Sequence, residues 1–161
     1  MTGSIRSMTE SDIAQIQHVA KTSWQTTYKG IIPLDIQENF IQMAYSDENL
    51  KKRMETTIFL VAEVEGKVIG FSNVFPLKNQ KKAELGAIYL FEEFQGKGIG
   101  TQLLKESINQ LPDVKKLYVN VEKDNKTGLF FYKAKGFKIE TEYDDLFNGH
   151  VLKTIRMVLE R

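Results

Sequence analysis

The stretch QGKGIG, Gln95–Gly100, sets three glycines at alternate positions between the apolar run AIYLF, 87–91, and the amphipathic TQLLKESINQL, 101–111. Such a link from strand to helix brings backbone close to something, because residues without a Cβ adopt left-handed conformations and leave their N–H groups unhindered. Spacing separates the chemistries that use it. A P-loop needs G-x-x-x-x-G-K-[ST], whereas here Lys97 is followed by Gly98 and the residue five before Gly96 is Phe91. A dinucleotide fingerprint needs G-x-G-x-x-G directly after a strand. Counted from Gly96 its last glycine is Thr101, counted from Gly98 it is Leu103, and EEFQ intervenes before the loop. Glu122, at the end of the next strand, can imitate a ribose-binding acid and keeps that alternative open. What remains is Gln-x-x-Gly-x-Gly at a helix start, where consecutive N–H groups and the helix dipole suit a pyrophosphate. The competing reading gives the glycines to tight turns alone.

Outward from the loop, the hydrophobic period alternates between strand and helix. Upstream, IFLVAEVEGKVIGFSNVF reads as two strands joined at Gly66, and AELGAIYLF as a third. Downstream come a helix through Leu103, Leu104 and Ile108 that Pro112 closes, a strand in KKLYVNVEK, and a helix in NKTGLFFYKAK stopped by Gly136. FKIETEY and HVLKTIRMVLE form a last strand pair, with Asn148-Gly149 inside a link expected to exceed two residues. At the other end, SIRSM is a short strand and TESD, 9–12, a capping-box start for a helix through Ile13, Ile16, Val19, Ala20 and Trp24. A second helix starts near Pro33 and carries Ile36, Phe40, Ile41 and Met43, and NLKKRMET adds a turn or two. The order predicts a mixed α/β sheet with one strand-loop-helix-strand crossover.

With 161 residues and no linker or repeat, the chain reads as one domain, 1–161, large enough for a core of its own. Its 22 basic and 21 acidic residues argue against nucleic-acid binding. The absence of cysteine excludes thiolate ligands and a cysteine acyl-enzyme, and His18 and His150 stand too far apart to suggest a metal site. MTGSIRSMTE has no apolar leader core and no 18-residue apolar span occurs, so the expectation is a cytoplasmic protein without membrane attachment.

In IYLFEEFQGKGIGTQLL and NKTGLFFYKAKGF the chain resembles the GNAT superfamily of acyl-CoA-dependent N-acetyltransferases, specifically over 84–137 and by element order over nearly its whole length. The resemblance implies a mostly antiparallel central sheet flanked by helices, acetyl-CoA as co-substrate, and transfer to a primary amine of a small molecule or peptide by direct attack in a ternary complex. It extends most closely to small bacterial polyamine and amine acetyltransferases, and it admits a homodimer. The implied cofactor contacts are backbone amides of Gln95, Gly96, Lys97, Gly98, Ile99 and Gly100 for the pyrophosphate, backbone of Ile88 and Leu90 for the pantetheine arm as for an added strand, and Asn125, which also suits a helix N-cap. Tyr132 falls at the tyrosine that protonates the departing thiolate. Because an amine attacks only when neutral, a base is required, and Glu84 on the strand before the loop is expected to serve, directly or through water. Trp24 and Tyr28, one helical turn apart, are the expected acceptor wall, with Glu92, Glu93, Asp144 and Asp145 as an acidic rim. The reading from a different class is a non-catalytic acyl-CoA-binding sensor or interaction module.

Overall fold

The computed structural model describes residues 3–78 and 81–161; Met1, Thr2, Asn79 and Gln80 lie outside it. Its strands are β1 Ser4–Ser7, β2 Ile58–Val64, β3 Lys67–Pro76, β4 Lys82–Leu90, β5 Lys116–Glu122, β6 Lys138–Phe147 and β7 His150–Glu160. Its helices are α1 Ile13–Thr27, α2 Leu34–Ala44, α3 Asp47–Thr56, α4 Ile99–Asn109 and α5 Lys126–Ala134. The strands form one sheet in the order β1-β2-β3-β4-β5-β7-β6. Every neighbouring pair is antiparallel except β4 with β5, which are parallel because the loop and α4 carry the chain across.

Local chemistry accounts for the joints. Glu65 and Gly66 (φ 51° and 78°) make the two-residue turn between β2 and β3, and Asn148 and Gly149 (φ 47° and 81°) the turn between β6 and β7. The second turn is shorter than the sequence suggested. The alternation of β6 continues past Tyr143 through DDLF, so Phe147 pairs with His150 and the hairpin closes tightly. NLKKRMET likewise belongs to a longer helix than expected: Ser46 caps α3, its Oγ accepting the Asn49 N–H at 3.1 Å. Pro33 is the cap of α2 instead of its first helical residue. Met43 is exposed, and Gln37 takes the buried position on that helix.

The two faces of the sheet are covered differently. Leu117, Val119 and Val121 of β5 pack with Leu104 of α4 and with Leu129 and Tyr132 of α5. On the opposite face, Phe59, Val61, Phe71 and Ala87 pack with Ile16, Val19 and Leu50 of α1 and α3. α1 lies on β3 and β4, and α3 on β2. On that second face α1 and α3 pack against β2–β4 and not against β5 and β7 in the same way, which leaves the β5–β7 half unroofed by them. A bulge in β4 at Gly86, between the pairs Val74↔Leu85 and Asn73↔Ala87, switches the strand's alternation. Ala83 and Leu85 point to the α4/α5 side before it, and Ile88 and Leu90 after it.

Candidate active site

β4 and β5 are paired only from Lys82↔Lys116 to Leu85↔Val119. Past the bulge, β4 continues against β3 while β5 continues against β7, so the two strands part. Phe91 donates its N–H to Ile69 O at 3.0 Å. By the alternation of an antiparallel ladder, the backbone groups of Tyr89 and Ala87 then face β3, and those of Ile88 and Leu90 face the opening. Leu90 O is approached by Ser23 Oγ and Gln95 Nε2, each at 3.4 Å, which leaves the N–H edge for an incoming extended group.

The glycine loop stands at the end of this opening. Gly96 and Gly98 have φ of 76° and 85°, and a Cβ on either would meet nothing within 4 Å, so the backbone faces open space. Gly98 is the N-cap of α4 and supplies no capping side chain, leaving the first-turn N–H groups available to an anion. Gln95 departs from the expectation in one respect. Its N–H is donated to Glu92 O at 3.1 Å within the preceding turn, so donors turned outward begin at Gly96. The Ile99 side chain is buried, and only its backbone can serve. Lys97 is exposed. A polyanion of the CoA type fits this cradle, which glycine keeps clear of side chains.

α5 forms the other flank. Asn125 Oδ1 accepts the Gly128 N–H at 3.0 Å and caps the helix, and Gly128 leaves room for it, since a Cβ there would lie 2.6 Å from Asn125 Nδ2. One turn on, Phe131 packs beside Gly100, and Tyr132 is buried edge-on between Phe131 and Phe137 at 5.3 and 5.4 Å. Burial pushes its phenol well above the usual tyrosine range, and Tyr28 adds to the effect. Tyr28 and Tyr89 face one another across the same space. Burial raises both phenols; at Tyr28 the hydrogen bond with Tyr89 works against this, while Tyr45 and then Glu122 add to it.

The unroofed sheet face carries a polar set. Residues paired across the strands share a face, which brings together Glu84, Tyr118, Asn120, Glu122, Thr154 and Arg156. Glu84, the expected base, is ion-paired. Arg156 Nη2 lies 3.0 Å from its Oε1, with the guanidinium 4.4 Å above the Tyr118 ring and Nη1 donating to Asn120 Oδ1 at 2.9 Å. Glu84 must share that partner with any proton it takes up. Trp24 is buried and stacked on Phe40, centroids 4.6 Å apart, with Tyr28 and Phe147 against its other sides. Its Nε1 has no hydrogen-bond partner among the described residues. Trp24 and Tyr28 thus line one side of the face, and the β6–β7 tip closes over them, with His150 Nε2 3.2 Å from Ile31 O.

The expected rim divides. Asp144 is turned to the opposite face and paired with Lys153 at 2.9 Å. Asp145 sits on the site face, while Glu92 and Glu93 are exposed in the turn before the loop. His18 packs edge-on to Phe91 at 5.5 Å, on another part of the molecule from His150. Tyr89, Tyr118, Phe147 and Arg156 escaped the sequence reading. Only the alternation of LYVNVE, which puts Tyr118, Asn120 and Glu122 on one face, was there to be read.

The acetyltransferase (GNAT) family matches residues 17–137. A relative, spermidine N(1)-acetyltransferase of Thermoplasma acidophilum, is 32% identical over 148 residues, 87% of this chain and 91% of that protein. The crystal structure of PaiA N-acetyltransferase from Thermoplasma acidophilum in complex with coenzyme A superposes with a TM-score of 0.89 at 29% identity, over 100% of both chains. The ribosomal-protein-S18-alanine N-acetyltransferase of Escherichia coli, at 20% identity and a TM-score of 0.72 over 99% of this chain and 94% of its own, shares the fold.

Proposed function

The chain belongs to the acetyltransferase (GNAT) family, and from that premise we propose that it acetylates a primary amine of a flexible, multiply charged aliphatic amine of the polyamine type. That it is an acetyl-CoA-dependent N-acetyltransferase comes with the family; the acceptor and the residue roles are the proposed part. The observation that carries the acceptor is the unroofed sheet face, which has an aromatic wall on one side, carboxylates on its floor and the gap where β4 and β5 part at its edge. An elongated cation suits it, since apolar stems pack on Trp24 and Tyr28 while nitrogens reach carboxylates. The name of the Thermoplasma relative points the same way.

The thioester supplies an activated acyl group, and the chain's residues align and discharge it. Backbone N–H groups from Gly96 to Gly100 hold the pyrophosphate, and Ile88 and Leu90 receive the pantetheine arm along their open edge. The amine must shed its proton before its lone pair forms the C–N bond. The Glu84 carboxylate, positioned by Arg156, takes that proton up through water. As the C–S bond breaks, the electron pair leaves on sulfur, and Tyr132 donates a hydrogen bond to it. A phenol raised so far by burial stays protonated wherever a thiol, with its pKa near 8.5, ionises. Tyr132 is therefore a donor to thiolate at all working pH, more than a strong acid.

With this reading go a single catalytic domain over 1–161, a small-molecule partner and a cytoplasmic location; no helix among the described residues is long and apolar enough to cross a membrane. The deciding experiment incubates the protein with acetyl-CoA and spermidine, spermine, butylamine, free lysine or a peptide with a free N-terminus, and follows CoA release and product mass. Polyamines should give the highest kcat/KM. Preference for the peptide would overturn the acceptor assignment, and CoA binding without release on any amine would favour a sensor.

A further inference from the structure

The two carboxylates on the floor of the unroofed face differ in their charge balance. Glu84 is matched by Arg156 at 3.0 Å. Glu122, at the end of β5, is 8% exposed, yet none of the ion pairs among the described residues includes it. The only hydrogen bond to its side chain among these residues comes from the Asp124 N–H to Oε2 at 2.6 Å. The nearest cations in sequence and register are committed elsewhere. Lys123 pairs with Glu142 at 3.2 Å, Lys153 with Asp144 at 2.9 Å, and Arg156 with Glu84 and Asn120.

The cross-strand neighbour of Glu122 is uncharged. Thr154 lies opposite on β7. Tyr28, at the C-cap of α1, feels the charge of Glu122, and Tyr89 of β4 and Tyr132 of α5 interact with Tyr28 in turn. A carboxylate withdrawn from water with no countercharge is costly, and a cation arriving from outside offsets that cost. This one stands at the end of β5, beyond the point where β4 and β5 have parted.

We propose that Glu122 is the residue that recognises the acceptor's ammonium: it holds a positively charged nitrogen of the amine beside Tyr28 and so makes the site select cationic aliphatic amines over neutral ones. The inference rests on the acetyl transfer described above and deepens it, since it assigns the charge selection to one side chain. The competing role for Glu122 is structural, closing the turn into α5 through the Asp124 N–H. Gln at this position keeps an oxygen for that bond and removes the charge.

The test compares wild type, Glu122→Gln and Glu122→Asp with spermidine and with methoxyamine, a nucleophilic amine uncharged at neutral pH. For Glu122→Gln, kcat/KM with spermidine should fall by about thirtyfold or more, mostly through KM, the scale expected when a buried charge loses its partner. With methoxyamine the change should stay within about threefold, and Glu122→Asp should recover part of the loss. Equal losses on both amines, or weaker acetyl-CoA binding together with a lower Tm, would assign Glu122 to the turn and overturn the proposal. If wild type acetylates neither amine, the proposed acceptor class fails, and Glu122 is judged by calorimetry with spermidine on the CoA complex. Tenfold weaker binding by Glu122→Gln then supports its role, and equal or absent binding in both proteins overturns it.

Discussion

Tyr132 and Gly98 carry the two sharpest predictions at the level of single residues. Tyr132→Phe keeps the ring between Phe131 and Phe137 and deletes only the hydroxyl. Turnover should drop by about tenfold, the low end for a positioned proton donor, because thiolate is a tolerable leaving group and burial makes this phenol a reluctant acid. Single-turnover rates and the acetyl-CoA Kd measured on the same variant check this; weaker binding at an unchanged rate would reduce Tyr132 to a pocket wall. For the same reason, the pH–rate profile should show no alkaline limb from Tyr132 within the ordinary tyrosine range near 10. Gly98→Leu adds a side chain in the open space at the start of α4 and forces it to φ 85°. A non-glycine residue there costs about 1–2 kcal/mol, which a core of this size tolerates. Acetyl-CoA affinity should fall at least about tenfold while circular dichroism stays native. Unchanged affinity would leave Gly98 a turn residue and nothing more.

Among the elements, β4 decides the site, and it does so through its neighbours. The bulge at Gly86 ends its pairing with β5 and turns Ile88 and Leu90 to the opening. Gly70 of β3 faces Leu90 across the ladder. A Cβ there would overlap the Leu90 side chain and lie 2.8 Å from Tyr89 O, which is backbone and cannot step aside. Gly70→Ala should therefore destabilise by about 1–3 kcal/mol, as overpacking does, and also weaken acetyl-CoA binding, because the end of β4 must move. Chemical denaturation and calorimetry read the two effects, and destabilisation without loss of affinity would detach β4 from the cofactor. The β6–β7 hairpin matters in a different way, since its tip brings Phe147 onto Trp24 and Phe40 and completes a wall that α1 and α2 only begin.

The whole molecule is bounded in pH by two sets of buried groups. Asp12 is held below its usual value chiefly by the hydrogen-bonded Arg6, with Thr9 helping. The folded state thus binds its proton less readily than the unfolded chain, and this stabilisation is complete above about 3.8 and is lost as pH falls below it. Tyr28, Tyr45, Tyr89 and Tyr132 are displaced the other way, each raised mainly by burial. Their contribution is intact below the unfolded value near 10 and is lost as pH climbs above it, since the unfolded chain releases protons that the native one retains. Stability measured by denaturation should be flat through neutrality and fall at both ends. Tyr45→Phe, which keeps the ring packed against Phe71, should soften the alkaline fall; an alkaline limb unchanged in that variant would show that burial of Tyr45 does not contribute to it.

The element order, the turn-forming glycines of Gln95–Gly100, the cap at Asn125 and the helix that carries Tyr132 were legible in the sequence because each depends on a few contiguous residues: a glycine spacing, a cap, a helical turn. The linear order carried less of the proposed acceptor side, because that side is assembled from residues far apart in the chain. Glu84 was visible as a carboxylate on a strand, but Arg156, 72 positions away, gives it a partner. Asp144 and Asp145 looked equivalent until the register of β6 against β7 sent them to opposite faces. The parting of β4 and β5 comes from one bulged residue whose effect depends on which strands flank it. Periodicity fixes which residues of a strand share a face. Only the tertiary pairing decides which strands share that face and which charges on it are left for a substrate to answer.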